Sequence, residues 1–174
     1  MSIFVIKIIA CFTMLLDHIK YAIPSTKCFA TQYFGRISFP LFAFLVGEGY
    51  AHTSDLKKYY KRLILFAIIS QIPFMLFRTL VGEWKMLNIM FTLLLGLLAI
   101  TVWDKANKKY YISIPIITGL IFLGHVLRVD YGAYGVACVF LLYLFRNKKM
   151  IRILVFIILN FIYYYKRLII EFSV

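Results

Sequence analysis

Apolar runs of about bilayer length, most of them closed by a short cluster of Lys and Arg, recur along this chain and restrict its folding more than any other feature. With 63% of its 174 residues apolar, against roughly 45 to 50% in soluble domains, no water-soluble core could hide them. A transmembrane helix needs about 20 residues to cross about 30 Å of hydrocarbon. A chain of this length therefore holds about six or seven spans and little else. The expected fold is all-α: one polytopic transmembrane helix bundle over residues 1–174, with about seven spans.

The runs are expected as helices at Ile3–Ile23, Ile37–His52, Leu63–Leu80, Asn88–Trp103, Tyr111–Leu127, Gly132–Phe145 and Ile151–Tyr165. Cations set their orientation. Lys57, Lys58, Lys61 and Arg62 follow the second run, Lys105, Lys108 and Lys109 the fourth, and Arg146, Lys148, Lys149 and Arg152 the sixth. By the positive-inside rule these alternate gaps, and with them the N-terminus, are expected in the cytoplasm. Pro24–Arg36, Val81–Leu87 and Arg128–Tyr131 are then outside. Lys166 and Arg167 run against the pattern, so the tail is expected either outside or as an interfacial helix anchored by Tyr163 to Tyr165.

The net charge of +13 accordingly reads as topology and contact with the lipid bilayer rather than nucleic-acid binding. The same cations can hold phosphates of a cofactor at the cytoplasmic face. Cys11, Cys28 and Cys138 have neither metal nor disulfide spacing, and no metal is expected. Cys11 and Cys138 read as packing residues. Ile3–Leu16 runs into Asp17 and His18 without a small-residue cleavage site, so it is expected to stay as the first helix. Pro73 and Pro115 fall inside spans, where membrane helices tolerate them as kinks.

Ionisable residues within spans carry the functional information, because each costs roughly 2.5 to 3.5 kcal/mol on insertion scales unless it faces protein or water. Lys7 and Arg78 lie near helix ends and are expected to snorkel; His125, beside Gly124, reads as a packing histidine. His18 differs, since a neutral imidazole is the usual general base for an amine or hydroxyl. It stands about 15 residues, or roughly 22 Å, from the cytoplasmic start of its helix. Lys7, Cys11, Met14 and His18 are spaced four, three and four, one face that is expected to line a tunnel to the histidine. Asp17 points about 100° away from His18 and is expected to meet a cation on another helix, with Arg36 the candidate. Glu48 is either a protonated carboxyl bonded within the bundle or a participant in catalysis or proton removal. Gly47 and Gly49 beside it allow close approach of a helix or ligand.

Five ordered blocks carry a resemblance: Met14-Leu-Leu-Asp17-His18-Ile19; Gly35-Arg36-Ile-Ser-Phe39-Pro40-Leu-Phe42 with Gly47-Glu48-Gly49-Tyr50-Ala-His52; Arg62 to Phe74 with Gln71 and Pro73; Asn88-Ile-Met-Phe91-Thr92 with Gly96; and Asp130-Tyr131-Gly132-Ala-Tyr134-Gly135. Together they resemble the TraX family of conjugative pilin acetylases, over residues 14 to 140. More distantly, the arrangement is similar to the heparan-α-glucosaminide acetyltransferases, which use cytosolic acetyl-CoA at a luminal histidine. The resemblance implies a multi-pass protein of a bacterial plasma membrane that moves an acetyl group from acetyl-CoA to the N-terminal amine of a peptide or protein.

On this reading His18 is the general base or transient acyl carrier, and Asp17 and Arg36 fix the site. Lys7, Glu48, Asn88, Tyr131 and Tyr134 are the candidate cofactor-binding residues, with Asn88 or Tyr131 as oxyanion donors. Two other readings stay open: O-acetylation of an envelope sugar or lipid, and a noncatalytic transporter or immunity partner using His18, Asp17 and Glu48 as a proton or ligand path. An oligomer is compatible with all three.

Overall fold

The computed structural model describes residues 2–22, 37–79, 86–106 and 109–172. Among them are seven helices: α1 (Ile3–Ala22), α2 (Ser38–His52), α3 (Leu56–Thr79), α4 (Ile89–Lys105), α5 (Tyr110–Val126), α6 (Gly132–Leu144) and α7 (Lys149–Phe172). They correspond in order to the seven expected runs. The described residues contain no strand, and a single bridge joins Leu87 to Val129. Pro73 and Pro115 lie inside α3 and α5 as expected.

Two boundaries lie well away from expectation, each for a local reason. α3 starts at Leu56 rather than Leu63, because the Asp55 carboxylate accepts the Lys58 backbone N–H at 3.0 Å and so caps the first turn. Lys57, Lys58, Lys61 and Arg62 are therefore helical, and the connection shrinks to Thr53–Asp55. α7 runs unbroken through Lys166 and Arg167 to Phe172, since no Gly or Pro follows Tyr165 to stop it.

α4 and α6 form the centre: α4 packs against α2, α3, α5 and α6, and α6 against α2, α4, α5 and α7. Leu97, Ile100, Val136, Cys138 and Val139 are fully buried between them and their neighbours. Their approach depends on two glycines. A Cβ on Gly96 would stand 2.5 Å from the Val139 side chain, and one on Gly135 2.4 Å from the Thr92 methyl. Small residues bring helix backbones together where dispersion must supply the packing energy.

The outer helices turn their apolar side chains away from this centre. Phe4, Phe12, Leu65, Ile72, Phe122 and Phe161 are all more than half exposed. α3 is the one described helix both long and apolar enough to cross a membrane by itself, while α5 and α6 are apolar and shorter. Of the cysteines, Cys138 is buried, Cys11 is exposed, and Cys28 lies outside the described residues.

The bundle's ends are chemically distinct. At one, Tyr143 donates to Asp104 at 2.5 Å, Tyr60 and Thr101 share a 2.7 Å hydrogen bond, and Arg152 pairs with Glu48 at 3.5 Å. Lys57, Lys58, Lys105, Arg146 and Lys148 cluster around this end. The other end gathers the close of α1, the start of α2, the close of α3, the start of α4 and the α5–α6 turn.

A Gly135→Ala substitution should lower stability by about 1 to 3 kcal/mol through overpacking against Thr92. Gly119→Ala, which meets nothing within 4 Å, should leave stability unchanged or raise it slightly. Thermal unfolding of both variants in detergent checks the pair.

Candidate functional site

A cavity of about 470 Å³ opens at the end away from the basic cluster, within the usual size range for small-molecule sites. Helical spacing selects its walls. Met14, Asp17 and His18 share one side of α1, and Phe66, Ser70, Pro73, Phe74 and Phe77 share one side of α3. α2 contributes Ser38 and Phe42, α4 contributes Asn88 to Met90 and Leu93, and the α5–α6 turn contributes Asp130 and Tyr131.

His18 is held at one ring nitrogen. Its Nδ1 lies 2.8 Å from the Met14 carbonyl, and a carbonyl oxygen only accepts, so Nδ1 carries the hydrogen. In the neutral ring Nε2 then holds the lone pair. The ring also packs on Phe77, with centroids 5.2 Å apart. This arrangement fixes tautomer and orientation together, the requirements for a general base.

The α5–α6 turn is built to present Asp130. Arg128, Tyr131 and Gly132 all adopt positive φ, at 50°, 64° and 51°, a left-handed geometry that side-chain-bearing residues take only when their surroundings enforce it. Here Leu87 donates to the Arg128 carbonyl at 3.2 Å and accepts from Asp130 N at 2.8 Å. The Thr92 hydroxyl donates to the Asp130 carbonyl, and Tyr131 stacks on Phe39 at 4.2 Å. Burial pushes the Asp130 carboxyl up to about 6. The Arg78 charge, the Tyr131 N–H at 3.1 Å and His18 pull it down, and Asp17 pushes it further up.

The expected site residues divide. Asp17, His18, Asn88 and Tyr131 line the cavity. Asn88, however, is a fold residue: its Nδ2 donates to the Ala67 carbonyl at 2.8 Å and to Ser70 at 3.2 Å, while its Oδ1 accepts the Met90 N–H at 2.9 Å. Both amide hydrogens are committed, so Asn88 has no donor left for an oxyanion. Gln71 completes the clamp, accepting from Asn88 N at 2.9 Å and donating to the Met86 carbonyl at 3.0 Å.

Lys7 and Cys11 are exposed, because α1 packs through Ala10 and Thr13 instead. The expected face therefore lines the cavity only from Met14 onward. Glu48 lies at the opposite end with Arg152. Tyr134 donates to Asn160 at 3.1 Å and stacks on Tyr163; it does not line the cavity. His125 is exposed rather than packed, and Arg36 lies outside the described residues. Among the described residues, no group of three His, Cys, Asp or Glu could hold a metal ion.

Two residues escaped sequence reasoning. Arg78 is half-buried, with Nη2 2.7 Å from the Met86 sulfur and its charge acting on Asp130. It turns inward instead of snorkelling. Asp130 appears in the fifth resemblance block but lies in a gap between spans, where an ionisable residue costs nothing and carries no signal of its own. The carboxylate directly before Tyr131-Gly132, in a turn-forming sequence, was the available signal.

The TraX protein family matches residues 2–169. A protein described as a probable fimbrial assembly protein FimC, serogroup H1, from Dichelobacter nodosus is 31% identical over 149 residues, which cover 78% of this chain. The chain spans 59% of that relative's length. No solved structure matches.

With a carboxyl that ionises near 3.8 when unfolded and near 6 when folded, the protein should lose stability as pH rises through this window. Asp130→Asn removes the effect. The variant should be more stable than the parent above pH 7, by at most about 3 kcal/mol, with no advantage below about pH 4. Melting curves across pH check both the sign and the window.

Proposed function

This chain belongs to the TraX family, and from that premise we propose that it is a multi-pass membrane acetyltransferase. It moves an acetyl group from cytosolic acetyl-CoA to the N-terminal amine of a peptide or protein. The observation that carries the reading is His18, anchored through Nδ1 at 2.8 Å and lining a cavity that also holds Asp17 and Asp130.

Membrane insertion of the whole bundle is supported by the outward apolar faces of α1, α3, α5 and α7, which exceed what a soluble monomer exposes. Cations gathered at one end support a cytoplasmic position for that end. The cavity then opens toward the outside, and acetyl-CoA engages the basic end through its phosphates. A relative described as a fimbrial assembly protein is in keeping with an exported subunit as acceptor.

The residues divide the chemistry simply. The incoming ammonium sheds one proton to water. As its nitrogen bonds to the thioester carbonyl carbon, His18 Nε2 takes the second proton, and it returns that proton to the sulfur as the C–S bond breaks. The products are an amide, a free thiol and one released proton. Asp17 and Asp130 stabilise the imidazolium that forms between these events. Arg78 acts on Asp130 through its charge, and Arg36 keeps the site-fixing role that the resemblance implies.

His18→Ala should reduce acetyl-CoA turnover on peptide amines by about 100-fold or more while the protein still elutes as a folded particle in nanodiscs. Full activity in both His18→Ala and Arg36→Ala would sink the mechanism. For topology, in a chain with Cys11, Cys28 and Cys138 replaced by serine, cysteines introduced at Ser54 and Asn147 should resist an impermeant maleimide in intact cells, whereas one at Arg128 should react.

A further inference from the structure

Depth separates the polar from the apolar walls of the cavity. Asp17, His18, Ser38, Asn88, Asp130 and Tyr131 lie near helix ends or in the α5–α6 turn, whereas Phe42, Phe66 and Leu93 line the deeper part. Phe66 stands eleven residues before Phe77, about 16 Å along α3 at the rise of an α-helix. It is close to the middle of that 24-residue helix. The cavity is therefore a slot from the end of the bundle to about half its depth, near the roughly 15 Å of a single leaflet's hydrocarbon.

The slot also reaches the side of the bundle. α1 packs on α2, and α3 on α4; α1 and α3 meet where the His18 ring touches Phe77, without comparable packing elsewhere along them among the described residues. Phe66 is 58% exposed although it lines the cavity, and Pro73 is exposed as well. Leu65 and Ile72 beside them belong to the outward apolar face of α3. The slot is thus continuous with the surface that the bundle turns to hydrocarbon.

Its deep walls offer few hydrogen bonds. Ser70 donates to the Phe66 carbonyl at 2.5 Å and accepts from Asn88, whose own amide hydrogens are committed. The hydroxyls of a sugar or the backbone amides of an extended peptide would be stranded here, a heavy desolvation penalty. Water fares no better where polar partners are missing. A hydrocarbon chain needs no partners and gains dispersion contacts with the rings.

We propose that the slot holds one acyl chain of a phospholipid from the leaflet at this end, entering between α1 and α3 with its headgroup at the polar mouth. The chain closes the cavity beneath His18 and leaves the rim to the reacting groups. This assignment rests on the membrane placement of the bundle and not on acyl transfer.

The test uses the full chain in nanodiscs that contain a phospholipid with a diazirine in mid-chain, irradiated and mapped by peptide mass spectrometry. Leu65, Ile72 and Leu76 face outward and report contact with bulk lipid. Labels should also appear on Phe42, Met90 and Leu93, inner residues that line the slot; Leu93 is only 3% exposed. Met90→Trp and, at the exposed rim, Phe66→Trp each add bulk to the slot and should cut the inner labels at least about fivefold, with the outer labels unchanged. Outer labels without inner ones, or inner labels undiminished in both variants, overturn the proposal while membrane placement stands. Absence of both sets would overturn the membrane placement and the proposal with it.

Discussion

The close approach of α4 and α6 is the contact on which the rest of the molecule depends. Gly96 admits Val139 and Gly135 admits Thr92, so both helices reach a separation that side chains of ordinary size would forbid. Every other helix packs on this pair or on a helix that does. The same contact reaches the cavity directly. Thr92 lays its methyl over Gly135 and gives its hydroxyl to the Asp130 carbonyl. Packing at the centre and presentation of a carboxyl to the cavity thus share one residue, and an expanded α4–α6 interface would move Asp130.

The polar groups of the bundle serve two purposes at its two ends. At the basic end, Asp104, Tyr143, Glu48 and Arg152 tie helices together. At the other, Gln71 and Asn88 do the tying, which leaves His18, Asp17 and Asp130 facing a cavity that needs no further structural bonds from Asn88. Structural bonding and cavity lining are divided among neighbouring residues of similar polarity. A buried carboxamide whose hydrogens are all committed rigidifies the site without taking part in it.

Much of the architecture was legible from the residues. The seven helices among the described residues follow from apolar runs and from local stop signals, both short-range properties; the exceptions are the α3 start, which the Asp55 cap sets, and the α7 end, where nothing breaks the helix. His18 and Asp17 stood out because ionisable groups are rare in such runs, and the cavity contains both. Lys7 and Glu48 stood out by the same rule and Tyr134 through the resemblance, but none of the three lines it. Their rarity signals that a polar group needs a partner or a wet surface, and Lys7 found exposure, Glu48 found Arg152 and Tyr134 found Asn160.

By itself, then, the sequence determined the helical character and the order of the seven helices among the described residues, the family, and the histidine on α1, because these depend on hydrophobic periodicity and on local motifs. Only the tertiary structure decided that Asp130 and Arg78 join His18, that Asn88 is committed to the fold, and that the α1 face contributes only from Met14 onward. Those outcomes depend on which faces of distant helices meet. That is set by side-chain volume at a few crossing points, above all Gly96 and Gly135, and no pattern within a single helix encodes it.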